Sequence, residues 1–331
     1  MPERASVCLH LLYGLVIGAN VPIPGAPIAP PALLPNITVD FDPLPDPAIL
    51  RDGAAMVQHG PHGPGEPLYT LFRRGEDYLF DFPDGVQFVI AADAAHIRAS
   101  WPPALTADVA SIYLVSTVLA FVLRLRGHEV LHAASVVIDG VAVAIVGPGG
   151  AGKSTLAACL AERGFTVLSE DVTALIDRGE EFDVLPSHAR IRLWPDAAAL
   201  LRGHAAALPF LADEEWKQYL ELTDDRVALA TKRFALAAIY SLDDRFDLPD
   251  RPGVEPLGAR EGLVDLIANT WHNVRDPRLA PANFERLGRI ARYVPLRLAK
   301  PHKDLATAFV FADRIVEDFR SVVLPGRTAA P

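Results

Sequence analysis

Cysteine is almost absent from the chain, with only Cys8 and Cys159 in 331 residues. A disulfide framework needs more, and a structural zinc site usually takes four Cys or His ligands at short spacings. Basic residues are in deficit too: 31 Lys and Arg face 41 Asp and Glu, for a net charge of −10. Neutralising phosphates along a nucleic acid needs the opposite balance, so no nucleic-acid partner is expected. Long apolar runs are also missing. Val109 to Leu123 is about fifteen residues, short of the ~20 that cross a bilayer, and it reads as a buried helix. Residues 7–19, VCLHLLYGLVIGA, follow Glu3 and are interrupted by His10 and Tyr13. They read as a first core strand rather than a secretory leader. The expectation is a cytoplasmic protein with no membrane partner.

Proline is abundant, with 29 residues, nine of them between Pro22 and Pro47. That stretch cannot be one long helix or a central strand, and short strands such as Ile37–Phe41 are expected within irregular connections. Residues 68–101 differ: LYTLFRR, DYLFDFP and GVQFVIAAD are separated by Gly-Glu and Pro-Asp-Gly, the pattern of an antiparallel meander. An apolar helix over 106–126 closes at Gly127. These boundaries suggest a β-rich domain over 1–105, a second domain over 106–324 and a tail over 325–331. In the second domain, helices are expected at 197–202, 213–222, 261–272 and 303–320, and strands at ARIRLW and Phe234–Leu242.

The most ordered stretch is VLHAASVVI, Asp139-Gly140, VAVAIV. Two β-branched runs joined by Asp-Gly predict a hairpin with a type I′ turn. Ile138 then faces Val141, and His132 falls opposite Gly147. Next comes GPGGAGKST, residues 147–155, which fits G-x-x-x-x-G-K-[ST] between an apolar strand and the helix STLAACLAERG. Gly147, Gly149, Gly150, Ala151 and Gly152 let backbone N–H groups converge on phosphate oxygens, and the helix N-terminus adds partial positive charge. In that pattern Lys153 contacts the β- and γ-phosphates of ATP, Ser154 ligates Mg²⁺, and Thr155 caps or packs. Glu170-Asp171 follows some way on, at the end of the strand FTVLS. Arg190 and Arg192 share one face of a predicted strand, as a pair for a phosphate or an acidic substrate. A solvated strand edge is the alternative for the arginines, and a half-buried strand histidine is the alternative for His132. Lys232 and Arg233 read as solvated, and Cys159 and the tryptophans Trp194, Trp216 and Trp271 as packing residues. His128, His188, His204, His272 and His302 are scattered without metal spacing.

The succession LHAASVVIDG, GPGGAGKST, ERGFTVLSEDV resembles the C-terminal catalytic domain of HPr kinase/phosphorylase. With GLVIGANVPIPG (14–25) and RIRLWPDA (190–197), the chain is similar to HPr-kinase-like proteins found beside peptide-modifying genes, including lasso-peptide kinases. The resemblance implies an α/β fold, with a P-loop kinase core of the HPr kinase/PEP carboxykinase type and an N-terminal β-rich domain that recognises substrate. It implies transfer of the γ-phosphate of ATP, with Mg²⁺, to a serine hydroxyl on a peptide or small protein. By position, Glu170 activates the attacking hydroxyl, Asp171 holds Mg²⁺ or its waters, and His132 contacts the γ-phosphate or orients Glu170. The family assembles through its catalytic domains, so a homo-oligomer is implied. Two positions depart from the family pattern: Thr155 stands where HPr kinases carry Glu, and Glu170 where they carry Asp. A kinase of a small metabolite, or a nucleotide-sensing module without turnover, fits the same loop.

Overall fold

A computed structural model describes residues 7–42, 52–60, 67–188, 190–202, 218–221, 232–243, 253–271 and 280–325. Described residues up to Gly127 form one compact unit, and nearly all those from His128 onward form a second.

The first unit contains β1 (Cys8–Leu12), β2 (Leu15–Ala19), β3 (Ile37–Phe41), β4 (Ala55–His59), β5 (Thr70–Arg74), β6 (Asp77–Asp81), β7 (Gln87–Ile90), β8 (His96–Ser100) and the helix α1 (Ala107–Leu125). Its strands make one sheet in the order β1-β2-β3-β8-β7-β6-β5-β4. The run over 7–19, expected as one strand, is a hairpin: Tyr13 and Gly14 both have positive φ (52° and 71°) and turn β1 onto β2. The signal was hidden because tyrosine rarely enters that region. β5 to β8 form the expected antiparallel meander, with Gly75 and Gly85 at the turns. His10 is buried and organises the proline-rich connection. Its Nε2 accepts from the Ile23 amide at 3.1 Å, and burial lowers its pKa.

Helix α1 belongs to this unit, so the boundary expected between residues 105 and 106 moves to after Gly127. The reason is aromatic packing. Phe121 meets Tyr78 and Phe80 edge-on at 4.8 and 5.2 Å between centroids, and Tyr113 stacks on Phe82 at 4.0 Å. The 19 residues of α1 are long and apolar enough to cross a membrane, but the helix is mostly buried inside this unit. Its middle, Leu114–Val118, widens into a π turn.

The second unit contains β9 (Glu129–Ile138), β10 (Val141–Val146), α2 (Lys153–Glu162), β11 (Thr166–Ser169), β12 (Val172–Asp177), β13 (Phe182–Val184), β14 (Arg190–Leu193), α3 (Pro195–Arg202), β15 (Gln218–Glu221), β16 (Phe234–Leu242), β17 (Gly253–Pro256), α4 (Ala259–Ala268), α5 (Ala280–Tyr293), β18 (Leu296–Lys300) and α6 (Ala308–Asp318). The β9–β10 hairpin has the register read from its sequence, with Val141 facing Ile138 and Val146 facing Ala133. Asp139 and Gly140 sit at φ 50° and 82°, as a type I′ turn requires. β10 is also parallel to β16, and β16 to β18.

Alternation along the hairpin splits the core in two. Ala134, Val136, Ile138, Val143 and Ile145 pack with residues of α2 and α6, while Leu131, Ala133, Ala142, Ala144 and Val146 pack with residues of α4 and α5. This is a sheet covered on both faces, in keeping with the expected α/β class. One expectation fails: the stretch 213–222, read as helical, contains β15, which pairs antiparallel with β14 from Arg190 facing Glu221 to Leu193 facing Gln218. Tertiary pairing overrides the leucine-rich local preference there. Residues 213–217 and 222, Trp216, His204, His272 and the tail from 326 lie outside the described residues.

Candidate functional site

β10 delivers the chain to Gly147, whose φ is 148°. A Cβ there would lie 3.0 Å from both Cβ and the carbonyl oxygen of Leu242, so the loop can leave the sheet at this point only through glycine. Gly149, Gly150 and Ala151 lead to Gly152, which caps α2 at φ 106°. Of the residues of α2 only Ser154 and Glu162 are not buried, and its middle, Leu156–Ala161, is apolar on every face, as a helix enclosed by the core requires. Lys153 is buried at the head of the helix, its Nζ donating to the carbonyls of Gly147 at 2.7 Å and Pro148 at 3.1 Å. Burial pushes its ammonium down to about 8, against the pull of Asp171 and Glu170. Thr155 is buried beside it and makes no cap.

The acidic pair sits where β11 breaks into β12. Asp171 has φ 69°, and the Val172 amide donates back to the Glu170 carbonyl at 2.8 Å, a γ-turn. Aspartate is one of the few non-glycine residues that enter the left-handed region, and between the two strands the surroundings hold it there. Here those surroundings are hydroxyls. Ser135 and Ser169 are 2.5 Å apart, Ser169 and Thr173 2.7 Å, and Thr173 donates to the Ala133 carbonyl at 3.0 Å. The kink turns the two acids apart. Glu170 is 2% exposed and accepts from the Ser154 hydroxyl at 2.6 Å. Asp171 faces His132, with Oδ1 and Nδ1 3.3 Å apart and the imidazole one-third exposed. Arg192 is ion-paired with Asp171 and lies 3.6 Å from Glu170.

The sequence motifs therefore converge: Lys153, Ser154, Glu170, Asp171, His132 and Arg192 form one cluster. Arg190 lies on the same strand two residues away and is part-buried. Arg233 sits 3.3 Å from Asp183, and Lys232 lies 5.2 Å from the Phe234 ring centroid, neither of them joining the cluster. Cys159 is buried packing, its thiol pushed up to about 12 by that burial.

Three members of the site were not read from the sequence as such. The structure corrects the expectation that His132 faces Gly147: the chain has already left the ladder, and Asn269 fills the gap. Its carbonyl accepts from the His132 amide at 2.7 Å, and its Oδ1 accepts from the Gly147 amide at 3.1 Å. Trp271, expected only as packing, donates its amide to Val130 and lays its ring against His132, centroids 4.9 Å apart. His188 is buried, and its Nδ1 has no hydrogen-bond partner among the described residues. Burial, with Arg192 and Arg190 nearby, pushes its imidazole down to about 4, so it is neutral near pH 7. No spacing rule links any of these three to the loop. Asn269→Ala strips the buried Gly147 amide of its acceptor and should cost ~1–3 kcal/mol of stability, measured by denaturant unfolding.

Chemically, the cluster offers a glycine cradle with an ammonium, a hydroxyl, two carboxylates and a guanidinium. Among the described residues no group of three or more His, Cys, Asp and Glu could hold a metal ion. The oxygens of Ser154 and Glu170, with Asp171 adjacent, suit Mg²⁺, which takes one or two carboxylates and completes its shell from phosphates and water.

No family model and no curated protein matches the chain. Among solved structures it is similar to the Hpr(Ser) kinase/phosphatase from Coxiella burnetii, at 16% identity over 58% of this chain and 96% of that one, with a TM-score of 0.32.

Proposed function

We propose that the chain is an ATP-dependent phosphotransferase that moves the γ-phosphate to a hydroxyl, serine on a peptide or small protein being the acceptor class. The observation that carries this reading is the meeting of the glycine loop and the acidic pair, with Ser154 on Glu170 at 2.6 Å and Lys153 buried beside them. The serine acceptor is taken from the resemblance of residues 130–175. Phosphoryl transfer asks the protein mainly for positioning and charge stabilisation, and this cluster is arranged for both.

The geometry favours exchanging the roles that the resemblance gives the two acids. Glu170 is sealed behind Ser154, so it suits the metal side. Asp171 stands on the side of the part-exposed His132, so it suits the acceptor. In this reading Ser154 and Glu170 hold Mg²⁺, which when bound would offset charge on the phosphates. Lys153 releases its two carbonyls and takes phosphate oxygens. Asp171, oriented by His132, receives the proton of the acceptor hydroxyl as the new O–P bond forms and the bond to the β-phosphate oxygen breaks. Arg192 supplies a cation for the transferring group.

The direct test incubates the full chain with ATP, Mg²⁺ and pools of serine-bearing peptides or metabolites, and follows the mass of one added phosphoryl group. Transfer to the metabolite pool alone would replace the peptide reading. ATP binding without transfer to any acceptor would leave only a nucleotide-sensing module. Lys153 supplies a second check. Its ammonium titrates near 8 in the free protein, and phosphate oxygens would raise that value. Nucleotide binding near pH 8 should therefore take up protons, and affinity should fall as pH rises above 8. Calorimetry in two buffers of different ionisation heat measures the uptake. None would separate Lys153 from the phosphates.

A further inference from the structure

β14 turns two unlike faces to its surroundings. Ile191 and Leu193 are buried in the core shared with α2. By strand alternation Arg190, Arg192 and Trp194 look the other way. Trp194 stands before Pro195, a position that keeps the backbone extended, so the alternation runs one residue past the end of β14. Arg192 reaches Glu170 and Asp171 from this face. Trp194, expected as a packing residue, is 44% exposed, whereas Trp101 and Trp271, the other described tryptophans, are 8% and 6% exposed.

We infer that the acceptor docks along this face, as an extended peptide whose side chain two residues from the serine is aromatic or large and apolar and lies on the indole of Trp194. The inference deepens the phosphotransferase reading and rests on it. Spacing carries the argument. An extended chain advances ~3.3 Å per residue, so Trp194 stands ~7 Å beyond Arg192 along the strand. A peptide lying extended over the same face has the same period. When its serine meets Asp171, the ion-pair partner of Arg192, the side chain two positions away meets the indole. The residue between them points away from the face.

The indole is also held ready. The Ala198 amide donates to the Trp194 carbonyl at 2.9 Å at the start of α3, and the Pro195 ring fixes the φ that follows. A large rigid ring on a fixed backbone loses little freedom when a partner covers it. Tryptophan is also among the residues that carry most of the binding energy where a partner docks.

The test gives the full chain ATP, Mg²⁺ and two peptides blocked at both ends, Phe-Gly-Ser-Gly-Phe and Gly-Gly-Ser-Gly-Gly. The phenylalanines cover both directions in which the peptide could run. For the wild-type chain, kcat/KM on the phenylalanine peptide should exceed that on the glycine peptide about 10-fold or more, mainly through KM. Trp194→Ala should bring the ratio to within about 2-fold of one, and Trp194→Phe, which keeps an aromatic ring, should hold it above about 3-fold. Equal use of the two peptides by the wild-type chain, or a ratio untouched by Trp194→Ala, overturns the inference, and the wild-type comparison does not depend on either variant folding. Transfer to a metabolite but to neither peptide overturns the inference together with the peptide acceptor. ATP binding without transfer to any acceptor overturns the phosphotransferase reading itself, and the inference with it.

Discussion

Asp171→Asn should lower kcat for phosphoryl transfer by about 10²–10⁴-fold and leave nucleotide affinity within about 3-fold. The substitution is chosen for its backbone. Position 171 sits at φ 69°, where most side chains are strained and asparagine is among the few that settle easily. Asparagine keeps one oxygen, for the Arg192 guanidinium, and puts its amide nitrogen where Asp171 Oδ1 faces His132 Nδ1. What it loses is the ability to accept a proton. Glu170→Gln is the companion, since the amide can still accept from Ser154 and the charge is gone. It should raise the Mg²⁺ concentration needed for half-maximal rate, with a smaller effect on kcat once Mg²⁺ saturates. Steady-state kinetics at several Mg²⁺ concentrations separates the two acids. The opposite pattern would restore the roles implied by the resemblance, and a loss below about 10-fold in Asp171→Asn would remove it from proton transfer altogether.

Lys153→Met should give a protein that is more stable and inactive. Methionine matches the aliphatic length of lysine and removes the charge from a side chain that is 7% exposed. Losing the ammonium opposite bound phosphates should cost ~2–5 kcal/mol, about 30-fold to several thousand-fold in nucleotide affinity and in kcat/KM. The stability change has the other sign. The lysine is depressed from 10.5 to about 8 by burial, so the folded state disfavours the ammonium relative to the unfolded chain. Between pH 8 and 10.5 the unfolded chain binds more protons, and wild-type stability rises with pH across that window. Below pH 8 the buried charge carries its full penalty, and there the methionine variant should gain most. The gain should fade as pH climbs toward 10.5. Denaturant midpoints at pH 7 and pH 10 measure this, and a destabilised variant at pH 7 would contradict it.

Local signals were legible where each was self-sufficient. Asp139-Gly140 specified a turn, and the turn alone fixed which residues of β9 and β10 face each other. GPGGAGKST specified a glycine loop between strand and helix, with the lysine and serine at its end. The acidic pair was found by position. Its geometry was not, because nothing about Glu-Asp announces a left-handed aspartate held by Ser135, Ser169 and Thr173. Asn269 and Trp271 lay beyond any pattern, since they reach the loop by completing a ladder that β10 abandons. His188 was passed over because burial, not spacing, is what sets it apart. The boundary after Gly127 was misjudged for a related reason. The apolar character of α1 was evident, but which sheet its aromatic faces would meet was not.

The bond between Gly147 and Asn269 spans 122 positions of chain. Its consequence is temporal. The hairpin of β9 and β10 closes through a two-residue turn and can form as soon as it is synthesised, whereas the anchor of the loop arrives only after β11 to β17 and α4 have been made. A growing chain that has emerged as far as α2 carries every residue of the glycine motif but lacks the contact that holds its first amide in place. Competence to grip phosphate should therefore be acquired late in folding, when the C-terminal end of α4 docks, and a chain stopped before α4 should fail to hold nucleotide even with its loop intact.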